Sequence, residues 1–157
     1  MLKKMIIFII VLVVIFLALF FVVKYQKDKA SEGNPFDKSD LHSATIEQLD
    51  DENYQNQILP DELADKLENG EDVTVYFYSP TCVHCQRTTP VVVPMAEGYG
   101  IDLVKLNLLE FEAQWDAYGI EATPTIVHFE DGEESARIVG EQENERFESF
   151  FETEVLE

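Results

Sequence analysis

Residues 73–85 read VTVYFYSPTCVHC, Val73 to Cys85, and this stretch decides the fold. Val73 to Ser79 is β-branched or aromatic almost throughout and does not alternate with polar residues, the pattern of a strand buried on both faces. It runs into Pro80-Thr81-Cys82-Val83-His84-Cys85, and a helix is expected to begin within that motif. A cysteine placed where a strand hands over to a helix sits at the helix N-terminus. Unpaired N–H groups and the positive end of the helix dipole favour its thiolate there. Cys82 is therefore expected to be the nucleophile, and Cys85, one turn inside, the thiol that resolves a mixed disulfide. Two other readings compete. A purely structural disulfide closing so short a loop would add only about 2 kcal/mol. A zinc site would need ligands from His42, His84 or His128, and their positions follow no recognised spacing, so no metal is expected.

Working outward, Pro60-Asp61-Glu62 opens a short amphipathic helix with Leu63, Ala64 and Leu67 on one face, closed at Asn69-Gly70. Beyond the cysteines, Ile101–Leu108 and Thr125–Phe129 read as strands, with a short helix over Phe111–Tyr118. Asp131-Gly132 is a hairpin turn leading to a strand over Ser135–Val139. Asn144–Leu156, carrying Phe147, Phe150 and Phe151, reads as a closing helix. Strands alternating with helices and ending in a hairpin indicate an α/β fold, a mixed central sheet flanked by helices. Pro90 and Pro94 each remove a backbone donor from the helix after Cys85, and the sequence predicts a break at Pro94. Phe111, Trp115, Tyr118 and the C-terminal phenylalanines read as packing. The glutamate-rich stretches at 130–134 and 141–145 read as solvated surface without chemistry.

At this point the sequence resembles the thioredoxin family over residues 58–157. The resemblance rests on Cys82-Val83-His84-Cys85 after a hydrophobic strand with Pro90 five residues on, on Gly119-Ile120-Glu121-Ala122-Thr123-Pro124-Thr125, and on Asp131-Gly132 followed by Gly140. It implies a thioredoxin-like fold and a cis Thr123–Pro124 bond that presents a backbone edge to substrate and keeps metal off the cysteines. A trans proline opening a strand is the plainer alternative. It also implies that Val83 and His84 tune the redox potential: a His before the second cysteine is similar to the Pro-His dipeptide of strongly oxidising relatives, although a solvated helix residue would look the same. Tyr76 falls where reducing members carry a buried Asp that relays protons to the second cysteine. Its hydroxyl, or a water, is the substitute to expect. Lys105 matches the lysine that faces that acid, and reads equally as a solvated strand-edge lysine. No bound cofactor is required for this chemistry.

At the other end, Met5–Val23 is an unbroken apolar run, long enough at about 1.5 Å per residue to cross a bilayer core of roughly 30 Å. A cleaved signal would be shorter and end in small residues, so residues 1–29 are expected to be an uncleaved membrane anchor. Lys3 and Lys4 on one flank face Lys24, Lys27 and Lys29 on the other, and the charge bias does not choose an orientation. Residues 30–57 are polar and acidic, with Gly33, Asn34 and Pro35, and read as a stalk. The chain has 157 residues with 11 Lys and Arg against 31 Asp and Glu, a net charge of −20. All of the acids but Asp28 lie beyond Ala30. Such a body leaves no footprint for nucleic acid and is repelled by anionic lipid.

Together these features predict a single-pass protein of the cell membrane, its domain on the extracytoplasmic side, exchanging disulfides with protein substrates alongside a membrane redox partner. The expected direction is that of an oxidant or isomerase. The competing readings are a reductant fed by a transmembrane electron carrier and a non-catalytic binding or chaperone module.

Overall fold

The computed structural model describes residues 2–30 and 33–157. Helix α1 (Leu2–Ala30) carries the apolar run. Its stretch Lys3–Gln26, in which eighteen consecutive residues have a mean hydropathy of 3.8, is long and apolar enough to cross a membrane.

After it, short helix α2 (Ser43–Ile46), a 3-10 turn (Glu52–Tyr54) and helix α3 (Pro60–Glu68) lead into strand β1 (Val73–Tyr78). Helix α4 (Val83–Tyr99), strand β2 (Leu103–Asn107), helix α5 (Ala113–Ala117), strands β3 (Thr125–Glu130) and β4 (Glu133–Val139) and helix α6 (Asn144–Phe150) complete the chain. A single wide turn, Phe151–Val155, extends α6. The strands form one mixed sheet in the order β2-β1-β3-β4. β1 runs parallel to β2, with Tyr76 opposite Lys105, and antiparallel to β3. β3 and β4 form the expected hairpin, and Asp131 and Gly132 both take positive φ in its two-residue turn.

Every residue of β1 is buried, as its β-branched and aromatic pattern leads one to expect. Val73, Val75 and Phe77 face one core with Leu63, Val104, Leu106 and Val127. Tyr76 and Tyr78 face the other, with Cys85, Val92, Val93 and Ala96 of α4 and Phe147, Phe150 and Phe151 at the C-terminus. Pleating sends alternate side chains to opposite sides, so one strand anchors both helical layers.

Two expectations are corrected. The helix does not break at Pro94: α4 continues through Pro90 and Pro94 to Tyr99 and ends at Gly100, whose φ of 73° makes a left-handed cap. Both prolines are exposed. The carbonyls they leave without donors, those of Gln86 and Pro90, therefore lie on the solvent side of the helix. The buried stripe of Thr88, Thr89, Val92, Val93 and Ala96 holds the opposite side on the sheet.

The segment expected as a stalk is also packed from Phe36 onward, with Phe36, Leu41, Thr45 and Tyr54 buried. The Glu110 carboxylate gathers this segment, accepting from His42 N at 2.8 Å and the Thr45 hydroxyl at 2.7 Å, and Lys38 Nζ lies 3.3 Å from it. Next to it, residues 56–58 pair with the outer edge of β2. Lys105 N donates to Asn56 O and Ile58 N to Lys105 O, both at 2.9 Å. That pairing covers an edge that would otherwise expose unpaired backbone groups.

Candidate functional site

The turn after β1 places Cys82 at the N-cap of α4, where its sulfur accepts from Cys85 N at 3.2 Å. The same sulfur lies 3.3 Å from the backbone oxygen of Thr123, the residue before the proline expected to be cis, and Thr123–Pro124 is cis. The loop ahead of β3 thus faces the first turn of α4 across the first cysteine. Both cysteines are free thiols; Cys82 is partly exposed and Cys85 is buried.

Their environments push the two thiols apart. Burial works against ionising Cys82, but hydrogen bonds with Thr123, with the Cys85 thiol and with the backbone amides of Cys85 and His84 outweigh it, and the thiol is more acidic than usual. Burial pushes Cys85 up to about 12, and the neighbouring Cys82 adds to the rise. The arrangement therefore offers a thiolate at the surface and holds a proton on the sulfur beneath it.

Around Cys85 the core supplies tyrosines rather than a carboxylate. Tyr76, expected as a relay, is fully buried and stacked on Tyr78 with ring centroids 5.9 Å apart. Its hydroxyl meets Thr89 Oγ1 at 2.9 Å, and Thr89 in turn donates to the backbone oxygen of Cys85 at 2.7 Å. Tyr76 is therefore linked to the cysteine's backbone and not to its sulfur. Burial raises the phenols of Tyr54, Tyr76 and Tyr78, so each stays protonated at neutral pH. Lys105 is not the solvated lysine of the alternative reading. It is 3% exposed, its ammonium makes a long hydrogen bond to Leu103 O at 3.4 Å, and burial lowers its pKa. Among the described residues no hydrogen bond joins it to Tyr76 or to either cysteine.

Val83 and His84 stand exposed on the first turn of α4. His84 is bonded through Nδ1 to Glu141 at 2.7 Å, and Arg87 reaches the same carboxylate with Nε at 2.8 Å. Neither Arg87 nor Glu141 nor Thr89 is singled out by the sequence. Glu141 in particular lies in a stretch that reads as plain solvated surface, and only the tertiary fold brings it to α4. The two remaining histidines serve elsewhere. His42 caps α2 by accepting from Ala44 N, and His128 is buried in β3 with Nδ1 2.9 Å from Thr74 Oγ1.

A mixed sheet with an acidic, accessible thiol at a helix N-terminus, a buried thiol one turn on and a cis-proline loop facing them defines a domain for thiol–disulfide exchange. The Thioredoxin family model matches residues 45–153, and the chain belongs to the thioredoxin family, as a thiol–disulfide oxidoreductase carrying the Cys82–Cys85 pair. It is 36% identical over 76 residues to thioredoxin 1 of Synechococcus elongatus, covering 47% of this chain and 71% of that protein. It is 29% identical over 115 residues to thioredoxin C-2 of Corynebacterium nephridii, covering 72% of this chain and 99% of that one. Among solved structures, a mutant thioredoxin from Halobacterium salinarum superposes with a TM-score of 0.52 at 33% identity, covering 59% of this chain and 82% of that one. The match beginning at residue 45 takes in part of the segment that reads as a stalk, in keeping with its burial.

Proposed function

We propose that the protein is a membrane-anchored thiol–disulfide oxidoreductase whose domain lies on the extracytoplasmic side and whose cysteine pair works as an oxidant or isomerase of protein substrates. The observation that carries the direction is the burial of Cys85, which pushes its thiol up to about 12 and favours its protonated form. In the oxidising direction a substrate thiolate attacks Cys82 Sγ of the Cys82–Cys85 disulfide. The S–S bond breaks, and Cys85 leaves and takes up a proton, which a value of about 12 favours. A second substrate thiolate then attacks the substrate sulfur of the mixed disulfide and expels Cys82, whose lowered pKa makes it the better leaving group. The substrate loses two electrons, and the pair ends as the dithiol.

The reverse course requires Cys85 to lose its proton before it can attack Cys82. Its aromatic neighbours Tyr54, Tyr76 and Tyr78 hold their own protons too tightly to act as bases. Cys82 is the attacking and attacked sulfur because it is the accessible one. Thr123 and Pro124 align the substrate chain, and Val83 and His84 tune the thiolate from the intervening turn. The anchor reading rests on α1, whose apolar stretch fits a bilayer. The sidedness rests on the resemblance to tethered extracytoplasmic relatives.

The test is the reduction potential of the full chain in detergent micelles, equilibrated with glutathione and dithiothreitol buffers. A value between about −120 and −180 mV is expected, and one at or below about −270 mV would make the protein a reductant. Labelling of Cys82 in intact cells by a membrane-impermeant thiol reagent is the expected topology result. Labelling only after lysis would place the domain inside.

A further inference from the structure

The Glu141 carboxylate makes contacts that neither the fold nor the exchange reaction as described requires. Its residue follows Gly140, whose N–H donates to the Pro124 oxygen at 2.7 Å, so this loop already grips the proline wall of the site. From there Glu141 reaches across to α4 and takes two side chains of its first two turns, His84 through Oε2 and Arg87 through Oε1. Together these residues line a groove of about 690 Å³ that also includes Thr123.

The contacts define a proton. Arg87 and His84 hold the Glu141 carboxyl down to about 2, so it is ionised throughout the neutral range. An ionised oxygen 2.7 Å from His84 Nδ1 requires hydrogen on that nitrogen, since two lone pairs would repel. Arg87 Nη2, 3.0 Å from the same nitrogen, is then a neighbour of the ring and not a donor to it. The ring is thereby fixed with Nδ1–H directed at Glu141. Arg87 also interacts favourably with a Cys82 thiolate. Its charge acts on that sulfur while Glu141 neutralises part of it.

We propose that Glu141 is a positioning residue for disulfide exchange, holding His84 and Arg87 in place beside the cysteine pair and limiting the positive charge that the Cys82 sulfur experiences. It is a brake on oxidising power built into the loop after β4. The inference rests on the redox reading above and assigns the control of that site. Because the side chains of His84 and Arg87 are 62% and 52% exposed, the cluster adds little to folding stability, and its effect is on the thiolate.

The test compares Glu141→Gln, Arg87→Gln and the double variant, each as the full chain in detergent micelles. The readouts are the equilibrium constant with glutathione, the pH titration of the Cys82 thiolate by ultraviolet absorbance, and the melting temperature. Glu141→Gln should make Cys82 more acidic and shift the equilibrium toward the dithiol by about threefold, equivalent to about 14 mV more oxidising. Arg87→Gln should move both readouts the other way, the double variant should lie between the single ones, and melting should stay unchanged. Glu141→Asp, which keeps the charge, should fall between Glu141→Gln and the parent. If the parent cycles between dithiol and disulfide and Glu141→Gln leaves its equilibrium and titration unmoved, or moves them in the same direction as Arg87→Gln, the brake is refuted and the exchange function stands. If the parent forms no Cys82–Cys85 disulfide in any buffer, the exchange reading fails and this inference with it.

Discussion

Limited alkylation of the fully reduced chain measures the asymmetry between the two thiols directly. Cys85 is pushed up to about 12, and Cys82 lies below the ordinary thiol value of 9.0. At neutral pH a gap of at least about three units makes the Cys85 thiolate scarcer than that of Cys82 by at least about a thousandfold. The scarcer thiolate is the stronger nucleophile. With a Brønsted coefficient of about 0.45, a difference of about three units returns roughly twentyfold. The floor for the rate ratio is therefore about fiftyfold in favour of Cys82. Cys85 is also 0% exposed, so reagent reaches it only through local opening and the observed ratio should exceed that floor.

The assay treats the chain in detergent micelles with substoichiometric iodoacetamide from pH 5 to pH 10 and counts the modified peptides by mass spectrometry. The thiolate is the reactive form, so both rates rise with pH. The Cys82 rate should pass half of its plateau below pH 9, and the Cys85 rate should still be climbing at the end of the range. Comparable rates at pH 7, or faster labelling of Cys85, would refute the assignment of the two sulfurs and the mechanism that depends on it.

Two further substitutions probe the layer beneath the site. Thr89→Val removes the hydroxyl that joins Tyr76 to the Cys85 backbone and leaves the Tyr76 phenol buried without that partner. Urea denaturation should show a loss of about 1–3 kcal/mol, and no loss would mean that the phenol finds another partner. Lys105→Met replaces a buried ammonium with one weak hydrogen bond by an apolar chain of similar length. It should stabilise the fold by about 1–2 kcal/mol at pH 7. Burial lowers the folded value of Lys105 below its ordinary 10.5, so the native state is penalised while the lysine is charged. The penalty is full below the folded pKa and fades as pH rises toward 10.5, and the advantage of the methionine should fade over the same window. A gain that persists unchanged above pH 10.5 would show that it comes from packing instead.

What the sequence made legible was whatever depends on near neighbours. β1 declares itself by six residues that are all β-branched or aromatic, the hairpin by Asp131-Gly132, and the two cysteines by their spacing at a strand end. What it concealed depends on partners far along the chain. Phe36, Leu41 and Tyr54 are single apolar residues scattered among acids, with no period to mark a buried face, and their burial is organised by Glu110 from beyond β2. The continuity of α4 was concealed for a related reason. A proline's cost depends on where its missing donor falls, and both prolines fall on the exposed side, a fact that only the packed helix displays. Glu141 could not be told from its acidic neighbours, because the contact that distinguishes it spans 57 residues to His84.

The two ends of the first turn of α4 explain why a shared scaffold leaves the direction of exchange open to local chemistry. The N-cap position gives Cys82 its hydrogen bonds and its exposure, and position three residues later gives Cys85 its burial. Those properties follow from helix geometry, and any chain with this motif at this place acquires them. The direction is decided by what surrounds the pair. Beneath Cys85 this chain places phenols that hold their own protons at neutral pH, and beside Cys82 it places the Arg87 guanidinium, which Glu141 partly offsets. The first makes deprotonation of Cys85 slow, and the second adjusts how stable the dithiol is. Changes beneath the pair should therefore act chiefly on the rate of release from a mixed disulfide, and changes beside it chiefly on the equilibrium potential. Thr89→Val and Glu141→Gln, one from each layer, separate those two controls when assayed in the same buffers.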